Sequence, residues 1–243
     1  MGSGLEDIRI ADDGEAPNKR ALVVAAHPDD TEFGAAGSVA LWARDGWDVY
    51  YLICTDGSKG SEDPEMRPEK LVPLRRDEQR AAAAVLGVKD VFFLDNVDGE
   101  LTYTREFARD VVRAIRTIKP HTVVTSDTNQ IVRNFFVNHP DHRCVGEVTI
   151  DAVYPLARNR PTFPELLDEG LEPFSAKELL LWSSSDVNHK VDISDVIELK
   201  LEALRQHVSQ FENMEMSLEQ IKQFWKEGDD RYMENFRRIP IPF

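Results

Sequence analysis

Apolar residues fall along this chain in two alternating rhythms. Short continuous apolar runs, of the kind a strand buried on both faces shows, recur at 21–26 (ALVVAA), 48–54 (DVYYLIC), 91–94, 122–125 and 178–182. Between them, apolar positions repeat at helical spacing. Residues 34–44 place Ala36, Val39, Ala40 and Ala43 on one side. Residues 71–86 carry four consecutive alanines and end at Gly87, a C-cap residue type. Residues 105–118 align Phe107, Val111, Ala114, Ile115 and Ile118 ahead of Pro120. Residues 141–153 also take a helical pattern, and two closing helices are predicted at 193–211 and 218–233. Strands joined by helices of this length need right-handed crossovers, and so parallel neighbours. The pattern predicts one α/β domain over 21–243, three-layered and Rossmann-like, with a mostly parallel central sheet. Residues 1–20 are predicted as a flexible polar arm. Residues of about 158–176, with Pro161, Pro164 and Pro173, break the rhythm and form a lid or a plain excursion.

Composition narrows the function classes. The chain has 243 residues and a net charge of −15. An apolar fraction of 42% is too high for a disordered chain. The acidic balance repels phosphate backbones, so nucleic acid is not expected as a partner. No apolar run reaches the length of a membrane span, and residues 1–20 lack a secretory apolar core, so the expected location is cytoplasmic. Two cysteines, Cys54 and Cys144, do not make a disulfide framework in a chain this long.

In a parallel sheet, ligands bind beyond the carboxyl ends of the strands. Polar groups gather there: His27-Pro28-Asp29-Asp30 after the first strand, Thr55-Asp56-Gly57 after the second, Asp95 after the third and Ser126-Asp127 after the fourth, with His139-Pro140-Asp141-His142 farther on. Pro28 stiffens its turn and keeps His27 out of the helical region. His27 and Asp30 are zinc-ligand types, three residues apart, and either His139 or His142 completes a two-histidine, one-carboxylate set. Such a set leaves a position open for water, as a catalytic zinc requires. Asp29 stands beside it as a candidate base. One such turn alone is common in structural loops; two, each headed by histidine at a strand end, favour metal chemistry. No glycine-rich fingerprint follows the first strand, so a nucleotide cofactor is not expected.

The run Ala25-Ala26-His27-Pro28-Asp29-Asp30 with Glu32 and Gly34, together with His139-Pro140-Asp141-His142, resembles the LmbE-like, or PIG-L, zinc-dependent N-deacetylases. The resemblance extends over about residues 21–211. It takes in Thr55-Asp56-Gly57, Arg75 with Glu78, Gly87-Val88, Val191-Asp192-Ile193 and His207 to Phe211. It implies one Zn2+ per chain, or another divalent metal in its place, held by His27, Asp30 and His142. It implies Asp29 as general base and His139 as a protonated group that stabilises the oxyanion and serves the leaving amine, kept charged by Asp29 and Asp141. Asp141 would orient a neighbouring histidine. Arg75 would touch a substrate hydroxyl or phosphate, unless it pairs with Glu78 one turn away on the helix surface.

Some members carry a tyrosine just before the second motif. Here Phe135-Phe136-Val137-Asn138 stands there, and Asn138 is the one that can donate a hydrogen bond. The implied function is removal of an N-acetyl group from an acetamido sugar or glycoconjugate. The competing readings are a metal amidase acting on a thiol conjugate or natural-product acyl amide, and a binding module with a degenerate site. Trp182, Trp225, Tyr154 and Phe163 are candidates to stack on a sugar or to fill the core. His207 is expected to pack or cap in a late helix, and His121 and His189 to lie at the surface or a strand edge. The family also forms homo-oligomers, and the apolar tail 239–243 (IPIPF) is predicted to dock on a neighbour or on its own domain.

Overall fold

In the computed structural model of the chain, which describes residues 19–129, 131–133, 136–211 and 217–241, the first apolar run forms β1 (Arg20–Ala25) and is buried at every position. There follow α1 (Asp30–Arg44), β2 (Asp48–Thr55), α2 (Pro68–Leu86), β3 (Asp90–Asn96), α3 (Arg105–Ile118) and β4 (Thr122–Ser126), in the alternation the sequence predicts. A short hairpin, β5 (Val132–Arg133) and β6 (Phe136–Val137), leads into α4 (Pro140–Asp151). The rest is α5 (Pro164–Asp168), β7 (Glu178–Trp182), β8 (His189–Asp192), α6 (Ile197–Arg205), α7 (Val208–Phe211), α8 (Leu218–Lys222), β9 (Lys226–Glu227) and β10 (Arg231–Pro240). Residues 1–18 of the predicted N-terminal arm, Phe135 and the last two residues of the tail lie outside the described residues, and Arg20, predicted in the arm, opens β1.

The main sheet runs β3-β2-β1-β4-β7-β10-β8, with β9 paired to β10. Strands β3, β2, β1, β4 and β7 are parallel. The chain steps from β1 outward through β2 and β3, then returns to the other side of β1 with β4. The order therefore reverses between β1 and β4, which opens a crevice at their carboxyl ends. Side chains alternate across β1. Leu22 and Val24 join Val111, Ile115, Val145 and Val148 in the layer of α3 and α4. Val23 and Ala25 join Val39, Ala82 and Ile197 in the layer of α1, α2 and α6. The outcome is the three-layer α/β fold, with a core on each face of the sheet.

The C-terminal third departs from expectation. The predicted helix 193–211 is broken: a 3-10 turn at Ser194–Val196 precedes α6, and Gln206–His207 separates it from α7. The predicted helix 218–233 ends at Lys222, and the chain turns through Gly228, at φ 76°, into the strand β10. This strand is antiparallel to both β7 and β8. Its inward positions are Glu234 and Phe236, 1% and 0% exposed, and a charged residue on the inner face hides the alternation of a strand. Ile239 pairs with Leu179, and the Ile241 amide donates to the Lys177 carbonyl, so the tail docks on its own domain as far as it is described.

The segment at about 158–176 joins the end of α4 to the start of β7, at the sheet edge opposite the carboxyl ends of the parallel strands. Arg116, fully buried, reaches into it and donates to the carbonyls of Ala157, Asn159 and Thr162. No helix among the described residues is long and apolar enough to cross a membrane.

Candidate metal centre and active site

Strand β1 ends in a turn that its own side chains close. One Asp30 carboxylate oxygen accepts the amides of Ala26, at 3.1 Å, and His27, at 2.8 Å. Asp29 is the N-cap of α1 and has φ 98°. A residue with a Cβ pays about 1–2 kcal/mol for that left-handed conformation. The second motif starts α4. His139 is its N-cap, and its Nδ1 accepts the Asp141 amide at 3.2 Å. Asp141 is buried and binds the loop after β3, accepting the Gly99 amide at 2.7 Å and the Leu101 amide at 3.3 Å.

These two turns bring His27, Asp30 and His142 together. His27 Nδ1 lies 3.2 Å from His142 Nε2 and 3.5 Å from Asp30 Oδ2, and His142 Nε2 lies 3.1 Å from Asp30 Oδ1. A tetrahedral zinc with bonds of about 2.0–2.1 Å holds its ligand atoms about 3.3 Å apart. The spacings are close to that figure, with each histidine facing a different oxygen of Asp30. The far ring nitrogen of His27 lies 3.1 Å from Asp141 Oδ2 and 3.1 Å from Asp98 Oδ1. A carboxylate behind a ligating imidazole fixes its tautomer and orientation, the place Asp141 would take were His27 a ligand. His139 shares the cluster of ring nitrogens with His27 and His142.

Four carboxylates, Asp29, Asp30, Asp98 and Asp141, face His27, His142 and Arg75 here. Burial alone lowers the affinity of His27 for a proton, yet hydrogen bonds to Asp141, Asp30 and Asp98 outweigh it and push the pKa up to about 12. Asp30 is pulled well below the usual carboxylate range against its burial, first by the charge of His142 and then by hydrogen bonds from His142 and His27. Asp29 goes the other way: burial pushes it up to about 6, while the Arg75 guanidinium pulls it down. His139 is lowered by burial and by repulsion from His27 and His142, which outweigh Asp141 and Asp98. The resemblance implies that neighbouring acids keep His139 charged; burial, with His27 and His142 beside it, reverses the sign.

The donors open on a cavity of about 350 Å³ lined by His27, Asp29, Lys59, Gly60, Arg75, Asp98, Gly99, His139 and His142. Arg75 is buried and donates to the carbonyls of Gly57 and Pro28 and to the Asp29 carboxylate. A Cβ at Gly60 would stand 2.2 Å from Arg75 Nη1, so a glycine is required beside the guanidinium. The surface pair of Arg75 with Glu78 is not formed: Glu78 instead accepts the Ser209 amide and hydroxyl. Asn138 is buried, turned toward the Asp127 carbonyl, and does not line the cavity. His207 is fully buried against Glu32, as a packed residue. Phe163 and Trp182 are core residues, whereas Tyr154 is 56% exposed.

Asp98 was not among the residues picked out from the sequence. Its signal is the Asp98-Gly99 turn after a strand that runs two residues farther than predicted.

The family model described as PIG-L: GlcNAc-PI de-N-acetylase matches residues 22–153. A diacetylchitobiose deacetylase of Thermococcus kodakarensis is 37% identical over 229 residues, covering 91% of this chain and 84% of that protein. The solved N,N'-diacetylchitobiose deacetylase of Pyrococcus horikoshii, in complex with an inhibitor, superposes with a TM-score of 0.83 at 34% identity, over 91% of this chain and 84% of that one. A 4-carboxy-2-hydroxymuconate hydratase from Pseudomonas putida reaches a TM-score of 0.75 at 20% identity, over 93% and 98% of the two chains, and shares the fold alone. With its family model matched across both the His27 and the His139 turns, and a relative this similar along nine-tenths of its length, the chain belongs to the PIG-L family.

Proposed function

We propose that this protein is a zinc-dependent hydrolase that removes the N-acetyl group of a neutral acetamido sugar or a conjugate of one. The carrying observation is the grouping of His27, Asp30 and His142, with side-chain approaches of 3.1 to 3.5 Å, beside a cavity lined by His27, His142, Asp29 and His139. The matching deacetylases of acetamido sugars supply the substrate class. A net charge of −15 disfavours an anionic lipid headgroup and favours a neutral sugar.

His27, Asp30 and His142 would hold the ion, which when bound supplies Lewis-acid polarisation of the amide carbonyl and a more acidic water. Asp29 takes the proton of the attacking water, and its raised pKa makes it a stronger base than an ordinary aspartate. Because His139 Nδ1 accepts the Asp141 amide, its neutral ring carries the proton on Nε2. It therefore donates a hydrogen bond to the developing oxyanion as a neutral imidazole, a contribution of about 2.7–4 kcal/mol for one such donor. The proton collected by Asp29 is the one the departing amine needs. Arg75 sets the charge of Asp29 and, from the cavity wall, has guanidinium hydrogens within reach of sugar hydroxyls.

The test is incubation of the zinc-loaded protein with N-acetylglucosamine and its β-1,4-linked oligomers, read by acetate and free amine. Equimolar acetate and amine are expected. Release of a longer acyl or a cysteinyl fragment from other amides, with acetamido sugars untouched, would overturn the substrate class in favour of a conjugate amidase.

A further inference from the structure

The geometry points to Gln79 as a positioning residue for Asp29, set in its orientation by the buried pair Glu32–His207. The inference rests on the proposed role of Asp29 as base. The buried stripe of α2 is Leu71, Arg75, Glu78, Gln79, Ala82, Ala83 and Leu86. Arg75 and Gln79 lie one turn apart on it, and they hold opposite sides of one peptide group. Arg75 donates to the Pro28 carbonyl at 2.6 Å, and Gln79 Oε1 accepts the Asp29 amide at 2.9 Å. That peptide leads into the left-handed residue, whose own carbonyl accepts the amides of Glu32 and Phe33. A residue in a sparsely populated conformation persists only where its surroundings over-determine it.

The Gln79 amide group cannot turn over. Its Nε2 donates to both oxygens of Glu32, at 3.0 and 3.1 Å, and to Thr31 Oγ1 at 3.2 Å. Reversed, it would set its oxygen against a carboxylate and its NH2 against the Asp29 amide. Glu32 is itself fixed, by the Thr31 hydroxyl at 2.8 Å and by His207 Nε2 at 3.1 Å, and all four of these side chains are 0% exposed. His207 enters from the break between α6 and α7, which explains why the predicted long helix is interrupted there. None of the four lines the cavity, so they act on the reaction through the turn that carries Asp29.

The test is a set of variants on the zinc-loaded protein. Gln79→Leu should lower kcat about 10- to 100-fold, with KM within about twofold and one zinc per chain retained. In an Asp29→Asn background the same substitution should change the residual kcat by less than about twofold, because the base it positions is gone. Wild-type kcat in Gln79→Leu, or an equal loss in both backgrounds, overturns the proposal. A reciprocal swap adds an isosteric check. Gln79→Glu opposes two carboxylates, whereas Gln79→Glu with Glu32→Gln restores the donor and acceptor order and should return kcat to within about threefold of wild type. Losses that simply multiply in the double variant overturn it.

Should no acetamido sugar be hydrolysed by the wild type, the proposed function falls, and hydrogen exchange still decides this inference. The Asp29 amide should exchange at least about tenfold faster in Gln79→Leu, and unchanged protection rejects the positioning role.

Discussion

Two charged clusters lie on α1, and they are built on opposite principles. At its interior, the Glu234 carboxylate accepts the amides of Gly37 and Ser38, the Ser38 hydroxyl and the Lys200 ammonium. Lys200 in turn donates to the Phe33 carbonyl and sits 4.0 Å over the Trp225 ring. Each charge has its counter-charge and each oxygen its donors, with both side chains at most 1% exposed. At the helix start, Asp29, Asp30, Asp98 and Asp141 face His27, His142 and Arg75 at the wall of a cavity. The first cluster is closed and belongs to the fold. The second is left open on one side, where a cation and a substrate would enter. Burial of charge does not by itself mark function; buried charge that opens on a cavity is the better sign.

The largest effect should come from breaking the open cluster. His142→Ala is expected to reduce bound zinc from one per chain to near none and acetate release to background, by metal analysis and activity assay. Asp29→Asn should keep zinc and lower kcat by about 10²- to 10⁴-fold, the range of a lost general base. The closed cluster should answer in another currency. Lys200→Met leaves Glu234 unpaired and should cost about 3–5 kcal/mol in urea unfolding, while kcat of the folded fraction is unchanged. Adding Glu234→Gln should recover part of that stability. A Lys200→Met protein as stable as wild type but inactive would erase the contrast.

The smallest effect is on pH dependence. As the proposed base Asp29 would work as a carboxylate, and burial pushes it up to about 6. Activity should therefore hold above that value and fall as pH drops through it. Because Arg75 pulls Asp29 down, Arg75→Met should move the acid limb upward in a kcat-against-pH profile; a shift downward would mean that another group governs the limb.

The parallel half of the fold is legible because β1, β2, β3, β4 and β7 are each a local apolar run and α1 to α4 each have a local helical pattern. The antiparallel end is not, since the inward Glu234 of β10 is neutralised by Lys200, 34 positions earlier. The same reason separates the visible from the hidden parts of the site. His27, Asp29 and Asp30 stand in one turn, and His139, Asp141 and His142 in another, so motif spacing reaches them. Gln79 looks like an ordinary polar residue of a long helix until its stripe is seen to be buried. His207 meets Glu32 across 175 positions, a distance at which no periodicity speaks. Arg75 was noticed, but its surface pairing with Glu78 presumed a solvated helix face. The structure covers that face with Ser209 and Gln210.

The place of β10 in the sheet bears on how the protein is made. Strand β10 follows β7 and β8 in the chain yet fills an interior position between them. Until it arrives, Leu179 to Trp182 form an open apolar edge, of the kind that recruits strands from other chains. A nascent or prematurely stopped polypeptide ending before Arg231 thus carries the hazard of self-association, and pairing across so long a sequence separation is slow. Retention of the C-terminal segment is as much a safeguard against aggregation during synthesis as a part of the finished enzyme.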